Sequence, residues 1–408
     1  MNIVEIITKK KNGEGLTREE LEYAFLGYLN HDVKDYQMSS LLMAICLKGM
    51  TDKETFDLVD IFIKSGDVMD LSEIPGVKVD KHSTGGIGDK ITLIIGPIVS
   101  SCGVVVPKMS GRGLGITGGT IDKLESIKGF KVSLTEEEFL KQVKEIGFAV
   151  TGQTSNLCPL DKVIYALRDV TGTTDSIPLI ASSIMSKKIA GGADKIFIDI
   201  KCGSGAMMKN MDDALKLKEI MESIGAYYNH ETICEISDMN TPLGSNIGNS
   251  LEVIEAMDVL KGKKGKLRDL SIKISSEMIS IAKNISIDLA EKEVLDVLES
   301  GKAFDKFLEF VEYQGGDINS LEVSTFIQEI KAVKSGTVKS INALNIGKLS
   351  CSLGAGRESK EDKIDYKVGI VLNKLVGDEV SPNETLFTLY KKDNTNIDIN
   401  IDDYYEIV

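Results

Sequence analysis

The chain has 408 residues, 42% of them apolar, and its 62 Asp and Glu against 48 Lys and Arg give a formal net charge of -14. That acidic excess, with a pI near 4.9, argues against a nucleic-acid or anionic-membrane partner, so an anionic substrate needs a local basic pocket. Six scattered cysteines without CxxC or Cys/His pairing suggest neither a disulfide framework nor a zinc site, and there is no apolar signal core or membrane-length apolar run. A reduced cytoplasm is the expected setting, and the length suits two or three domains at roughly 150 residues each.

Three helices are expected first, from Thr17 to Asn30, Asp35 to Lys48 and Thr51 to Ser65, with apolar residues at helical spacing. Thr17 with Glu20 and Thr51 with Glu54 fit the capping-box pattern, and Gly49 and Gly66 sit where C-terminal caps belong. From about Val77 the texture changes to ITLIIGPIVSSCGVVVP, FAVTG and KIFIDIKCGSG, short apolar runs of the kind buried in α/β sheets. Between the last two lies a helical stretch in which Ser176 and Pro178 mark a start and Gly191 and Gly192 a stop. The charge cluster KGKKGKLRDL near residue 265 reads as a solvated loop, and AVKSGTVKSINALNIG with KVGIVLNKLVGDEVSPNETLFTLY reads as a small β-rich end.

Two polar, glycine-rich segments carry the chemistry. Residues 78–92, KVDKHSTGGIGDKIT, place Lys81, His82, Ser83 and Thr84 ahead of Gly85, Gly86 and Gly88. Residues 106–130, VPKMSGRGLGITGGTIDKLESIKGF, set Lys108, Ser110, Arg112, Thr117, Thr120 and Lys123 among six glycines. Cations, hydroxyls and close backbone approach suit a bound anion. Gly113, Gly115 and Gly118 also form a lone GxGxxG, but polar residues separate it from the preceding apolar run.

Together these segments resemble the pyrimidine-nucleoside phosphorylases, which split nucleosides with inorganic phosphate. The resemblance covers nearly the whole chain and implies a small all-α domain, a larger α/β domain with a central mixed sheet, a cleft between them, and a β-rich C-terminal part. The boundaries expected are 1–66 with 161–193, 77–160 with 194–330, and 331–408. The family's phosphate-binding positions fall on Lys81, Ser83, Thr92, Lys108, Ser110 and Thr120, and its pyrimidine-binding arginine, serine and lysine on Arg168, Ser183 and Lys187. Ser183 and Lys187, four apart, share a helix face. His82, Arg168 and Lys187 are the catalytic candidates, His82 either donating a proton to the leaving base or positioning it.

The resemblance also implies a homodimer through the helical domain, no organic cofactor, and one potassium ion held by positions matching Gly88, Lys90, Leu243, Asn246 and Glu255. Lys90 departs from the small hydroxyl residue usual there, and Ile116 from a usual histidine. Thymidine-specific members tend to have methionine where this chain has Lys108, which favours the broad-specificity type. The alternatives are a strict thymidine phosphorylase, a phosphoribosyltransferase of similar architecture, and a non-catalytic nucleoside-binding protein.

Overall fold

The computed structural model describes residues 1–113, 118–153, 156–357 and 362–408. Gly115, Ile116 and Thr117 of the glycine-rich segment lie outside the described residues. The chain opens with four helices: α1 (Ile3–Lys11), α2 (Arg18–Leu29), α3 (Asp35–Lys48) and α4 (Asp52–Lys64). The first was not expected from the sequence. Asn2 caps it by accepting from the Val4 amide, and Ile3 and Ile6 are buried. The capping boxes at Thr17/Glu20 and Thr51/Glu54 both form, and Gly49 ends α3 at φ 72°. Ser65, rather than Gly66, caps α4. Gly66 is needed for another reason, since a Cβ there would fall 2.0 Å from the Asn156 carbonyl oxygen.

There follow β1 (Val79–Ser83), α5 (Thr92–Ser101), β2 (Val106–Ser110), α6 (Thr120–Glu125), α7 (Glu136–Ile146) and β3 (Phe148–Gly152). The apolar run ITLIIGPIVS, expected as a strand, is helix α5. It is buried from Thr92 to Ser100, and a helix covered on all sides shows the same unbroken apolar run as a buried strand. Gly96 is fixed by close packing, because a Cβ there would meet the Phe148 ring at 2.3 Å.

Next come α8 (Pro159–Arg168), α9 (Ile177–Ala190), β4 (Lys195–Cys202), α10 (Met211–Tyr227), β5 (Glu231–Asp238), β6 (Asn246–Ile247) and α11 (Asn249–Leu260). Then α12 (Lys266–Lys283), α13 (Ile287–Glu299) and α14 (Lys302–Tyr313) run consecutively. The charge cluster expected as a loop is only partly one: Lys266 to Leu270 form the first turns of α12, anchored by buried Leu267. The chain closes with β7 (Phe326–Lys331), β8 (Gly336–Ile341), α15 (Ala343–Ser350), β9 (Gly369–Leu372), β10 (Glu379–Val380), β11 (Thr385–Lys391) and β12 (Tyr405–Ile407). The stretch NALNIG, expected within the β-rich end, instead opens α15, where the Asn342 side chain accepts from the Asn345 amide at 3.0 Å.

The described chain divides into two units. The helical unit comprises Met1–Glu73, Gln153–Ile198 and Met211–Glu235. Its core joins Leu21, Phe25, Leu42, Ile45 and Leu58 of the opening helices to Leu160, Ile164 and Leu179 of α8 and α9. Helix α10 falls in this unit, whereas the sequence boundaries put it in the α/β part. Its buried Ala214, Leu217, Met221 and Ile224 form a helical stripe, and it packs on α9 and α4.

The α/β unit comprises Ile74–Gly152, Asp199–Asn210 and Ile236–Val408. Strands β2 and β3 pair in parallel from Val106↔Phe148 to Ser110↔Gly152, and a parallel bridge ties Lys78, beside β1, to Val105, beside β2. Strand β1 also edges a sheet of order β1-β4-β5. The C-terminal part adds sheets of order β6-β9-β11-β7 and β10-β8-β12, antiparallel in every pair. This is the fold class expected from the sequence. Among the described residues no helix is long and apolar enough to cross a membrane.

One buried ion pair stitches the opening helices. Glu54 accepts from Lys10 Nζ at 2.7 Å and from the Leu16 amide at 2.8 Å. Burial alone would raise the Glu54 carboxyl, but Lys10 and the Leu16 and Thr51 amides hold it below the usual range. Its contribution is complete above the unfolded pKa of about 4.3 and is lost as pH falls through the lower folded value. Replacing Glu54 by Gln, which leaves Lys10 buried and unpaired, should cost about 3 to 5 kcal/mol at neutral pH. Urea unfolding followed by helical circular dichroism should show the gap closing below pH 4, and equal midpoints at pH 7 would refute the pair's role.

Candidate active site

Ligands of open α/β sheets gather at the carboxyl ends of the strands, and two of the expected phosphate residues, Ser83 and Ser110, sit there. Lys81 and Lys108 lie two residues earlier, in the middle of β1 and β2. Thr92 and Thr120 are the first residues of α5 and α6. Lys81 is 1% exposed, yet its Nζ has no hydrogen-bond acceptor among the described residues. Asp199 Oδ2 lies 3.5 Å away, an ion pair. Burial pushes the Lys81 pKa below the usual lysine range, against the pull of Asp89 and Asp199.

The charges around Lys81 are tied to one another. Lys201 Nζ lies 2.6 Å from Asp199 Oδ2 and donates to Ser237 Oγ at 2.9 Å, while Ser237 donates to Asp199 Oδ1 at 2.6 Å. Ser83 donates to Asp89 and accepts from the Gly85 amide at 3.2 Å. Desolvation would raise the Asp89 carboxyl, but Lys201, Lys81 and the Ser83 hydroxyl hold it well below the usual carboxylate range. Lys108 is buried, donates to the Met109 carbonyl at 3.2 Å and lies 4.0 Å from Asp80. His82 is half-buried between Lys81 and Ser83; strand alternation puts it on the opposite face of β1.

The second glycine-rich loop is organised by a residue that the sequence did not single out. Asp122, fully buried, accepts from the amides of Gly113 at 2.6 Å and Gly119 at 3.2 Å, and from Arg357 Nη1 at 2.9 Å. Arg112 grips Glu125 with both terminal nitrogens. Lys123, also buried, donates to the Gly118 carbonyl at 2.6 Å and pairs with Glu252 at 3.4 Å. A Cβ on Gly119 would land 2.2 Å from the Gly113 nitrogen, so the two ends of the loop touch backbone to backbone.

The positions expected to hold potassium do come together, but not as a ligand set. Lys90 Nζ donates to the carbonyls of Leu243 and Asn246, each at 2.8 Å, and to Glu255 Oε2 at 2.7 Å. An ammonium has donors only and cannot coordinate a cation. The residues present therefore do not fit a potassium ion, because Lys90 stands among the oxygens the ion would need.

The expected base-binding residues lie in the helical unit. As the four-residue spacing implied, Lys187 and Ser183 meet on one face of α9, Nζ donating to Ser183 Oγ at 2.8 Å. Lys187 also pairs with Asp161 of α8. Asp161 was missed, although it stands seven residues before Arg168 and so on the same helix face; its Oδ1 is buried without a hydrogen-bond partner among the described residues. Arg168 is more committed to the fold than expected. It donates from Nε to Thr173 O at 3.0 Å, from Nη1 to Leu179 O at 3.2 Å and from Nη2 to Thr174 O at 3.1 Å. Among the described residues that uses three of a guanidinium's five N–H donors, leaving two.

Comparison with known proteins adds to this geometry. Residues 76–304 match the model of the glycosyl transferase family a/b domain, residues 4–66 that of its helical bundle domain, and residues 337–407 the pyrimidine nucleoside phosphorylase C-terminal domain. The pyrimidine-nucleoside phosphorylase of Staphylococcus haemolyticus is 51% identical over 98% of this chain and 94% of its own. That of Bacillus subtilis is 49% identical over 100% and 95%. Among solved structures, anthranilate phosphoribosyltransferase from Thermus thermophilus has a TM-score of 0.61 at 17% identity, covering 76% of this chain and 99% of its own; that likeness is one of fold.

If Asp122 holds the second loop, Asp122→Ala should release the amides of Gly113 and Gly119. Hydrogen exchange across residues 106–125 should then speed up by about tenfold or more, the loss of roughly one charge-assisted hydrogen bond. Unchanged exchange would show that the loop is held by something else.

Proposed function

The chain belongs to the pyrimidine-nucleoside phosphorylase family of glycosyl transferases, and on that premise we propose which residues serve which part of the reaction. The reaction is the reversible phosphorolysis of pyrimidine nucleosides to free base and pentose 1-phosphate. Uridine, thymidine and deoxyuridine are the proposed substrates, because Lys108 stands where thymidine-specific members tend to have methionine.

Phosphate is the nucleophile and needs converging cations and hydroxyls. Lys81, Ser83, Thr92, Lys108, Ser110 and Thr120 are proposed to supply them. The observation that carries this reading is Lys81 of β1, a buried ammonium paired with Asp199 at 3.5 Å but without a hydrogen-bond acceptor among the described residues. As the bond to C1′ breaks, negative charge builds on the pyrimidine edge that carries O2 and O4, and fixed donors facing it strengthen as it grows. Lys187 and the two remaining donors of Arg168 are proposed for that edge, with Ser183 beside them and Asp161 steadying Lys187. His82 is proposed to donate a proton to the leaving base or to position it.

The proposed assembly is a cytoplasmic homodimer formed through the helical unit. Tyr36, Met43 and Leu47 of α3 are exposed, and their spacing of seven and four residues puts them on one helix face. Light scattering of Leu47→Asp should show monomer where the unmodified chain is dimeric. A monomeric parent chain would remove the proposal.

Kinetics separate the two sets of residues. Ser110→Ala and Lys108→Ala should raise KM for phosphate more than KM for uridine, and phosphate kinetics unchanged in both would contradict the phosphate assignment. Lys187→Ala should lower both kcat and kcat/KM by roughly 2 to 4 kcal/mol in barrier terms. Arg168→Lys is a cleaner probe than alanine, because the fold also uses Arg168. Cytidine, with an amino donor at position 4, should be a poor substrate, and cleavage as fast as that of uridine would show that the pocket does not read this edge.

A further inference from the structure

We propose that the ammonium of Lys90 is a built-in monovalent cation, replacing a bound potassium ion and making the fold and activity of this chain independent of potassium. The inference rests on the family reading for where an ion is expected, and on this chain's own geometry for what stands there instead.

The Lys90 side chain is 0% exposed. An ammonium has three N–H donors, and all three are used: by the carbonyls of Leu243 and Asn246 and by Glu255 Oε2, at 2.7 to 2.8 Å. Two backbone carbonyls and one carboxylate form the oxygen set that would suit a hard monovalent ion, and an ammonium is close to potassium in size and equal in charge. One buried cation faces one buried carboxylate, which the half-exposed Lys263 also approaches at 4.0 Å, so a further buried cation would be uncompensated.

The surrounding chain is shaped to the ammonium. Gly88, at φ 73°, would place a Cβ 2.7 Å from Leu243 O. Gly244, at φ 78°, would place one 2.9 Å from Lys90 Nζ and 2.5 Å from Glu255 Oε2. Glu255 Oε1 is held by the Ser245 amide at 2.8 Å and hydroxyl at 2.7 Å, and the Asn246 amide donates at 2.9 Å to Oε2, the oxygen that faces Lys90. Burial would raise this carboxyl, but Lys90 and Ser245 hold it at about 2, so the carboxylate stays charged across the working pH range.

The consequence for function is local. Lys90 lies in the segment between β1, which carries Lys81 and Ser83, and α5, which begins with Thr92. Its three contacts fasten that segment to the turn before β6 and to α11. A bound ion stabilises only in proportion to its concentration over its Kd, whereas a tethered ammonium is always present.

The test compares the enzyme in potassium chloride and in sodium chloride at equal ionic strength, after dialysis against potassium-free buffer. The unmodified chain should show the same melting temperature and the same uridine phosphorolysis rate in both, and elemental analysis should find no stoichiometric potassium retained. Lys90→Ser removes the tethered cation and restores room for an ion. In sodium it should melt lower and lose about tenfold or more in kcat/KM, the effect of leaving a buried carboxylate unpaired, and potassium should restore both in a saturable way. Lys90→Met fills the space without charge; it should be equally impaired and not restored.

A potassium-specific rise in melting temperature or rate in the unmodified chain, or retained potassium, would overturn the proposal. So would a Lys90→Ser variant that is unimpaired, or impaired but not restored by potassium. Should that variant not fold in either salt, the salt response and potassium content of the unmodified chain still decide. The melting and elemental measurements do not depend on which nucleoside is cleaved, so they separate failure of this proposal from failure of the substrate reading.

Discussion

A charged side chain taken out of water must be paired or hydrogen-bonded, or it costs several kcal/mol, and this acidic chain buries lysines throughout. Lys10 meets Glu54, Lys90 meets Glu255, Lys201 meets Asp199 and Lys123 meets Glu252, while the partly exposed Lys187 meets Asp161. Each pair joins segments far apart in the sequence or sits beside a proposed ligand position. The pair at Glu54 ties the first helix to the fourth. The pair at Glu255 ties the segment after β1 to α11. Lys81 is the exception in its hydrogen bonding: Asp199 Oδ2 lies 3.5 Å away as an ion pair, but Nζ has no hydrogen-bond acceptor among the described residues.

That exception links the fold to the chemistry. Around Lys81 the carboxylates Asp89 and Asp199 balance the ammonium groups of Lys81 and Lys201, so no net charge is stranded. The hydrogen bonds are distributed unevenly, though, with Ser237 serving Lys201 and Ser83 serving Asp89. A cation kept neutral in sum but unsatisfied in hydrogen bonding is suited to an incoming oxyanion, which supplies acceptors without unbalancing the core. In the helical unit, where the base is proposed to bind, Asp161 pairs with Lys187 beside Ser183, while Arg168 spends three donors on backbone carbonyls among the described residues.

Much of this was legible in the sequence where the signal is local. The threonine–glutamate capping boxes specify helix starts through bonds within four residues, and the Ser183–Lys187 spacing specifies a shared face. The two glycine-rich segments could be recognised because their wording is long and particular. What the sequence did not show depends on tertiary neighbours. The run ITLIIGPIVS looks alike as a buried strand or a helix covered all round, and only packing against β3 and α14 decides. Asp122, Asp161 and Lys201 are ordinary charged residues until the fold supplies their partners, and the placement of Lys90 among the oxygens of Leu243, Asn246 and Glu255 spans 165 residues of chain.

Lys81, without a hydrogen-bond acceptor among the described residues, is proposed to take one from phosphate. Calorimetric titration of inorganic phosphate into the nucleoside-free chain and into Lys81→Met, with circular dichroism confirming the fold of both, tests it most directly. The account predicts that the methionine variant, which keeps the buried volume and removes the ammonium, binds phosphate about tenfold or more weakly, the loss of one charge-assisted hydrogen bond. Equal phosphate affinity in a folded Lys81→Met chain would contradict it.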